Sequence, residues 1–126
     1  MKIKPSGNMY LDYFKENNLR TTIKSLTVIK DSVLHGKHKL YVAVNIPESW
    51  KDAFIAIDPD GTMCIYQYKP VPFENSQPSS VDNSSWDIAK IEDDFVDFAV
   101  IEGIQRIGNW KDLCISVSGD LIFDIK

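Results

Sequence analysis

A chain of 126 residues with 44% hydrophobic and 25% charged residues has the size and composition of one globular domain with its own core. No apolar run approaches the ~20 residues of a membrane-spanning helix, and no apolar segment follows the basic start MKIKPSGNMY, so no secretion signal is expected. The net charge of −4 is unevenly spread: residues 1–42 carry eight Lys/Arg against three Asp/Glu, and residues 43–126 carry six against fifteen. Such asymmetry marks either an interaction surface or two solvated charge sets scattered by the fold.

In chain order, residues 1–8 predict a flexible arm, broken by Pro5, Gly7 and Asn8. MYLDYFKENN predicts a short helix, with Tyr10, Leu11 and Phe14 on one face. TTIKSLTVIKDSVL alternates imperfectly and predicts a strand with a bulge. HGKHK, residues 35–39, predicts a hairpin tip. KLYVAVNI predicts a strand, with Leu40, Val42, Val44 and Ile46 on the core side.

AFIAID and TMCIYQY then predict a hairpin around Asp58-Pro59-Asp60-Gly61. Residues 74–85, rich in Ser and Asn, predict a flexible loop. WDIAKI predicts a strand. EDDFVDFAVIEG predicts a helix, because Ile91, Phe95 and Phe98 fall at i, i+4 and i+7, and Gly103 would end it. IQRIGNWKDLCISV suits a short helix or a strand, and SGDLIFDIK a turn and a strand. The expected fold class is α+β, a small antiparallel, hairpin-rich sheet with one or two short helices in a single domain, 1–126.

Few motifs carry chemistry. Asp58, Asp60 and Thr62 imitate the first ligands of a calcium loop. Gly61 then stands at position 4 instead of 6, and Lys69 occupies the position of the bidentate Glu. Turn chemistry explains DPDG better: Pro presets φ, Asp caps the backbone, and Gly takes a positive φ. His35 and His38 form an i, i+3 pair with no ligand set beside them in sequence. Cys64 and Cys114 predict two reduced thiols in a cytoplasmic protein. No nucleophile elbow, phosphate loop or dinucleotide fingerprint is present, so the expectation is a protein that is not an enzyme, with no cofactor and no metal.

The candidate contacts are surfaces. Between Asp82 and Glu102 lie seven acids (Asp82, Asp87, Glu92, Asp93, Asp94, Asp97, Glu102) and one lysine. Such a face repels nucleic acid and steers basic proteins toward it, unless it is merely a solvated face. Asp93, Asp94 and Asp97, with Trp50, Trp86 and Trp110 as aromatic anchors, are the candidate partner surface. A ligand-binding alternative uses Tyr66 and Tyr68 for stacking and cations such as Lys39 and Arg106, with Lys4, Arg20, Lys24 and Lys37 in reserve, in pockets between subunits of a homo-oligomer.

IPESWKDAFIAIDPDGTMCIYQYKP, the polar loop ending in Trp86, and GNWKDLCISV together resemble small accessory proteins encoded by phages and prophages. The likeness covers roughly residues 46–70 and 103–117, and it departs from the pattern where Leu113 follows Asp112 directly, without the usual Ser. The resemblance implies a protein of the host cell cytoplasm that inhibits a defence component by binding it. It also leaves room for a sponge that sequesters a small signalling nucleotide, or for a virion or assembly component. The shared residues are turn and core positions, so no functional residue carries over.

Overall fold

The computed structural model describes residues 2–5, 18–30, 38–74, 84–104, 106–119 and 121–125. The described residues include ten strands and one 3-10 turn. The strands are β1 (Lys2–Pro5), β2 (Leu19–Lys30), β3 (His38–Pro47), β4 (Phe54–Ile57), β5 (Thr62–Tyr66), β6 (Val71–Phe73), β7 (Ser85–Asp87), β8 (Phe95–Glu102), β9 (Cys114–Ser116) and β10 (Leu121–Ile125). The 3-10 turn is Trp110–Asp112. The α+β expectation is therefore wrong: the fold is nearly all β.

A five-stranded antiparallel sheet runs β1-β8-β5-β4-β9. A three-stranded sheet runs β10-β2-β3, and β6 pairs with β7 as a separate ribbon. Pairing is not wholly antiparallel, because β10 runs parallel to β2, from Leu121 opposite Leu26 to Ile125 opposite Lys30. Strands so distant in sequence have the long connection that a parallel pair needs.

The long pair β2–β3 keeps one register from Leu19 opposite Pro47 to Val28 opposite His38, so the expected bulge is absent over these residues. Val42, Val44 and Ile46 are buried as their alternation predicts, with Leu26 of β2 on the same face. Lys24 also lies on this inner face, opposite Val42, and its Nζ donates to the Val117 carbonyl at 3.3 Å. Strands β4 and β5 are buried on both sides: Ile55, Ile57, Met63 and Ile65 on one face, Ala56, Cys64 and Tyr66 on the other. The buried residues of both larger sheets form one apolar cluster. Burial of that area is the main favourable term holding a β protein of this size together.

The helix expected over residues 92–103 is strand β8. A bulge explains the misleading spacing: Met63 faces Ala99 and Cys64 faces Asp97, so Phe98 is an extra residue in β8. One inserted residue places Phe98 and Ala99 both in the core and turns a two-residue repeat into an apparent helical one. The supposed apolar stripe does not exist, since Ile91 is 93% exposed and Phe95 only half-covered. Residues Lys2–Pro5, expected in a flexible arm, form the edge strand β1 against β8. All but Asn18 of the helix expected over residues 9–18, residues 35–37 of the hairpin tip and residues 75–83 of the 74–85 loop lie outside the described residues.

Candidate functional site

The Asp58–Gly61 stretch is a tight turn, and its polar groups are spent on structure. Gly61 N–H donates to the Asp58 carbonyl at 2.9 Å, and Asp58 N–H to the Thr62 carbonyl at 2.9 Å. The Asp60 carboxylate accepts from Thr62 N–H at 2.9 Å. Three distant segments then dock on the turn. Ile101 N–H donates to the Gly61 carbonyl at 3.0 Å and Ile107 N–H to the Pro59 carbonyl at 2.8 Å. Trp86 N–H donates to Asp58 Oδ1 at 2.9 Å. Among the described residues no three His, Cys, Asp or Glu are grouped to hold a metal ion.

Burial pushes the Asp58 carboxyl up from 3.8 to about 6; the Trp86 hydrogen bond opposes the rise and the Asp60 charge adds to it. Native Asp58 therefore binds its proton more tightly than the unfolded chain does. Its contribution makes stability fall as pH rises from about 4 to about 6 and stay level above that. Discounted for partial solvent access, the step is about 1–2 kcal/mol. Asp58→Asn keeps an acceptor for Trp86 N–H and is expected to lose this step. Urea unfolding of both proteins across that pH range checks it, and parallel stability profiles would refute it.

The aromatic anchors expected at the surface are in the core. Trp50, Trp86 and Trp110 are 5%, 7% and 2% exposed. Trp86 Nε1 donates to the Ile57 carbonyl at 3.1 Å, and its ring meets that of Trp110 edge-on at 5.8 Å. Indoles buried and bonded in this way cannot contact a partner. Tyr66 is buried as well; its hydroxyl donates to the Trp86 carbonyl at 3.4 Å and its ring stacks on Phe95. Burial, with the neighbouring Cys64 charge, raises the Tyr66 hydroxyl well above its usual range. Burial also pushes the Cys64 thiol up to about 12, aided by the charges of Asp58 and Asp97, which makes it a poor nucleophile. Cys64 and Cys114 both face Ala56 across the sheet, from opposite sides. Two strand spacings of ~10 Å are too far for a disulfide, and both thiols are free.

The concave surface lies elsewhere, on either side of Tyr68, which is 55% exposed just beyond the end of β5. One cleft of about 460 Å³ is lined by Gln67, Tyr68, Ala89, Lys90, Glu92 and Asp93. Its far wall is an ordered turn: Asp93 N–H donates to the Lys90 carbonyl at 3.0 Å, and Lys90 N–H to Asp93 Oδ2 at 3.1 Å. Ile91 projects from the tip of that turn. Gln67 N–H joins the two walls by donating to the Asp94 carbonyl at 2.9 Å. A second cleft, of about 590 Å³, is lined by Ser49, Lys51, Asp52, Phe54, Gln67, Tyr68 and Lys69.

Comparison with protein-family models, with curated proteins and with solved structures finds no match. The site therefore rests on its geometry.

Of the sequence candidates, the fold brings together Asp93 and Tyr68 on the first cleft, with Asp94 and Asp97 exposed beside its turn and on β8. Half of the Asp93 carboxylate is spent on its own turn. Lys39, Arg106 and Lys4 are exposed but line neither cleft, and Lys24 is buried. Arg20 donates from Nη2 to the Trp50 carbonyl at 3.2 Å. Lys37 and His35 lie outside the described residues, as does the side chain of His38. Sequence reasoning missed Lys51, Lys69, Gln67 and Ile91. The available signal was position: each sits in a connection between strands, and Lys51, Gln67 and Lys69 each adjoin an aromatic, where loops carry function.

No helix among the described residues is long and apolar enough to cross a membrane.

Proposed function

We propose that this protein is a non-enzymatic binding protein that captures a basic protein partner with the surface around Tyr68. The observation that carries this is a cleft lined by Tyr68, Glu92 and Asp93, with exposed Ile91 on its turn and exposed Asp94, Phe95 and Asp97 on the chain that leaves that turn. Apolar anchors within a polar, charged rim are the anatomy of a protein interface. The carboxylates steer a positively charged partner and fix its register. A host defence component is the first partner to try, following the phage-type resemblance, with inhibition by occlusion as the mode of action. A virion or assembly role uses the same surface and is distinguished by the protein's presence in purified particles.

The nucleotide-sponge alternative loses Tyr66, which is buried, and its cations Lys39 and Arg106 line neither cleft.

Reversal of Asp94 and Asp97 to Lys tests the surface and leaves the Asp93 turn intact. Affinity for a partner captured from host lysate is expected to fall more than about tenfold, and capture to weaken as salt rises. A partner held equally by wild type and D94K/D97K would place the contact elsewhere.

A further inference from the structure

We infer that the second cleft, between the β3–β4 connection and the chain leaving β5, binds a nucleoside monophosphate. It shares Tyr68 and Gln67 with the protein-partner surface, but the two lysines that set it apart line this cleft alone. Its volume of about 590 Å³ lies within the usual range for small-molecule sites, roughly 300–1,000 Å³. Its lining has the parts such a ligand requires. Lys51 projects from one wall and Lys69 from the other, against a single carboxylate, Asp52. Both lysines are exposed, and among the described residues neither is held in a salt bridge. Two ammonium groups facing one cleft attract a phosphate dianion as point charges. Tyr68 and the half-buried Phe54 supply aromatic surface for a base, which stacks without regard to its identity. Ser49 and Gln67 add a hydroxyl and an amide for the sugar and the base edge.

The walls are fixed before any ligand arrives. Trp50, buried between Ser49 and Lys51, donates its N–H to the Pro47 carbonyl at 3.0 Å and accepts Arg20 on its own carbonyl. On the other side Gln67 N–H is tied to Asp94 and Pro70 is buried just past Lys69. Fixed walls lower the ordering cost of binding.

Isothermal titration with adenosine monophosphate, adenosine and inorganic phosphate tests the assignment. Adenosine monophosphate is expected to bind with Kd below about 1 mM, with adenosine and phosphate each at least about tenfold weaker. Lys51→Ala with Lys69→Ala, and separately Tyr68→Ala, is expected to weaken the nucleotide by about tenfold or more. All three positions are exposed, so the folded state survives the changes. Absence of adenosine monophosphate binding overturns the inference, as does wild-type affinity in the double lysine variant. Phosphate binding as tight as that of the nucleotide also overturns it, because the ring contacts would then contribute nothing. The double lysine variant leaves Tyr68, Asp94 and Asp97 in place, so its effect on the nucleotide is separable from partner capture.

Discussion

Gly61→Ala is expected to destabilise the protein by about 3 kcal/mol or more, the sum of a backbone strain and a steric term. Gly61 has φ +92, in a region that residues with a Cβ rarely enter. An added Cβ would also stand 2.7 Å from the Ile101 carbonyl oxygen. That oxygen is backbone of β8, and the same strand donates Ile101 N–H to the Gly61 carbonyl. Relief of the clash therefore means pulling the turn away from β8, and with it the Ile107 and Trp86 bonds to Pro59 and Asp58. Gly103 is the matched control: its φ is +83, and an added Cβ there meets nothing within 4 Å. Gly103→Ala incurs the strain alone, about 1 kcal/mol. Denaturant unfolding of the two variants separates the terms. Equal losses would show that the turn does not press on β8.

The role of that turn was legible in DPDG itself, because each residue suits its position in a tight turn and the calcium-loop spacing fails at Lys69. Strand β3 was legible for a similar reason. One of its faces is in the core and the other in water, so Leu40, Val42, Val44 and Ile46 keep a clean two-residue repeat. Strand β8 was not legible. It pairs on both edges and carries the Phe98 bulge, so its apolar residues fall at spacings that a helix would also give. The parallel pairing of β10 with β2 depends on contacts between residues more than 90 positions apart, which local pattern cannot reveal. The tryptophans misled for another reason. Positions near turns and strand ends suggested exposure, yet all three indoles belong to the buried apolar cluster, where large rings contribute most area. The acidic segment was legible as charge. Its pairing with Tyr68 across a cleft was not, since that depends on the Gln67–Asp94 bond between two loops.

Trp86 carries the second large effect. Trp86→Ala is expected to destabilise the fold by about 3–5 kcal/mol, as for other buried aromatic truncations. It removes the ring that meets Trp110, and it leaves the Ile57 carbonyl without its Nε1 donor. Trp86→Phe keeps most of the apolar bulk but not the donor, so its loss is expected to be smaller, about 1–3 kcal/mol. The short ribbon β6–β7 depends on this side chain more than on its own pairing, because isolated two-stranded ribbons are marginal in water. Trp86 ties the ribbon to the core through its bonds with Asp58, Ile57 and Tyr66, whereas the exposed Lys111–Glu74 salt bridge beside it contributes little. Loosening of the ribbon should therefore appear as early amide exchange in Val71–Phe73 and Ser85–Asp87 under conditions where β4 and β5 stay protected. Partner capture at a temperature where Trp86→Phe remains folded should match wild type, since the ring contributes to the core and not to the contact. A Trp86→Phe variant of normal stability that no longer captured the partner would return this residue to the binding surface.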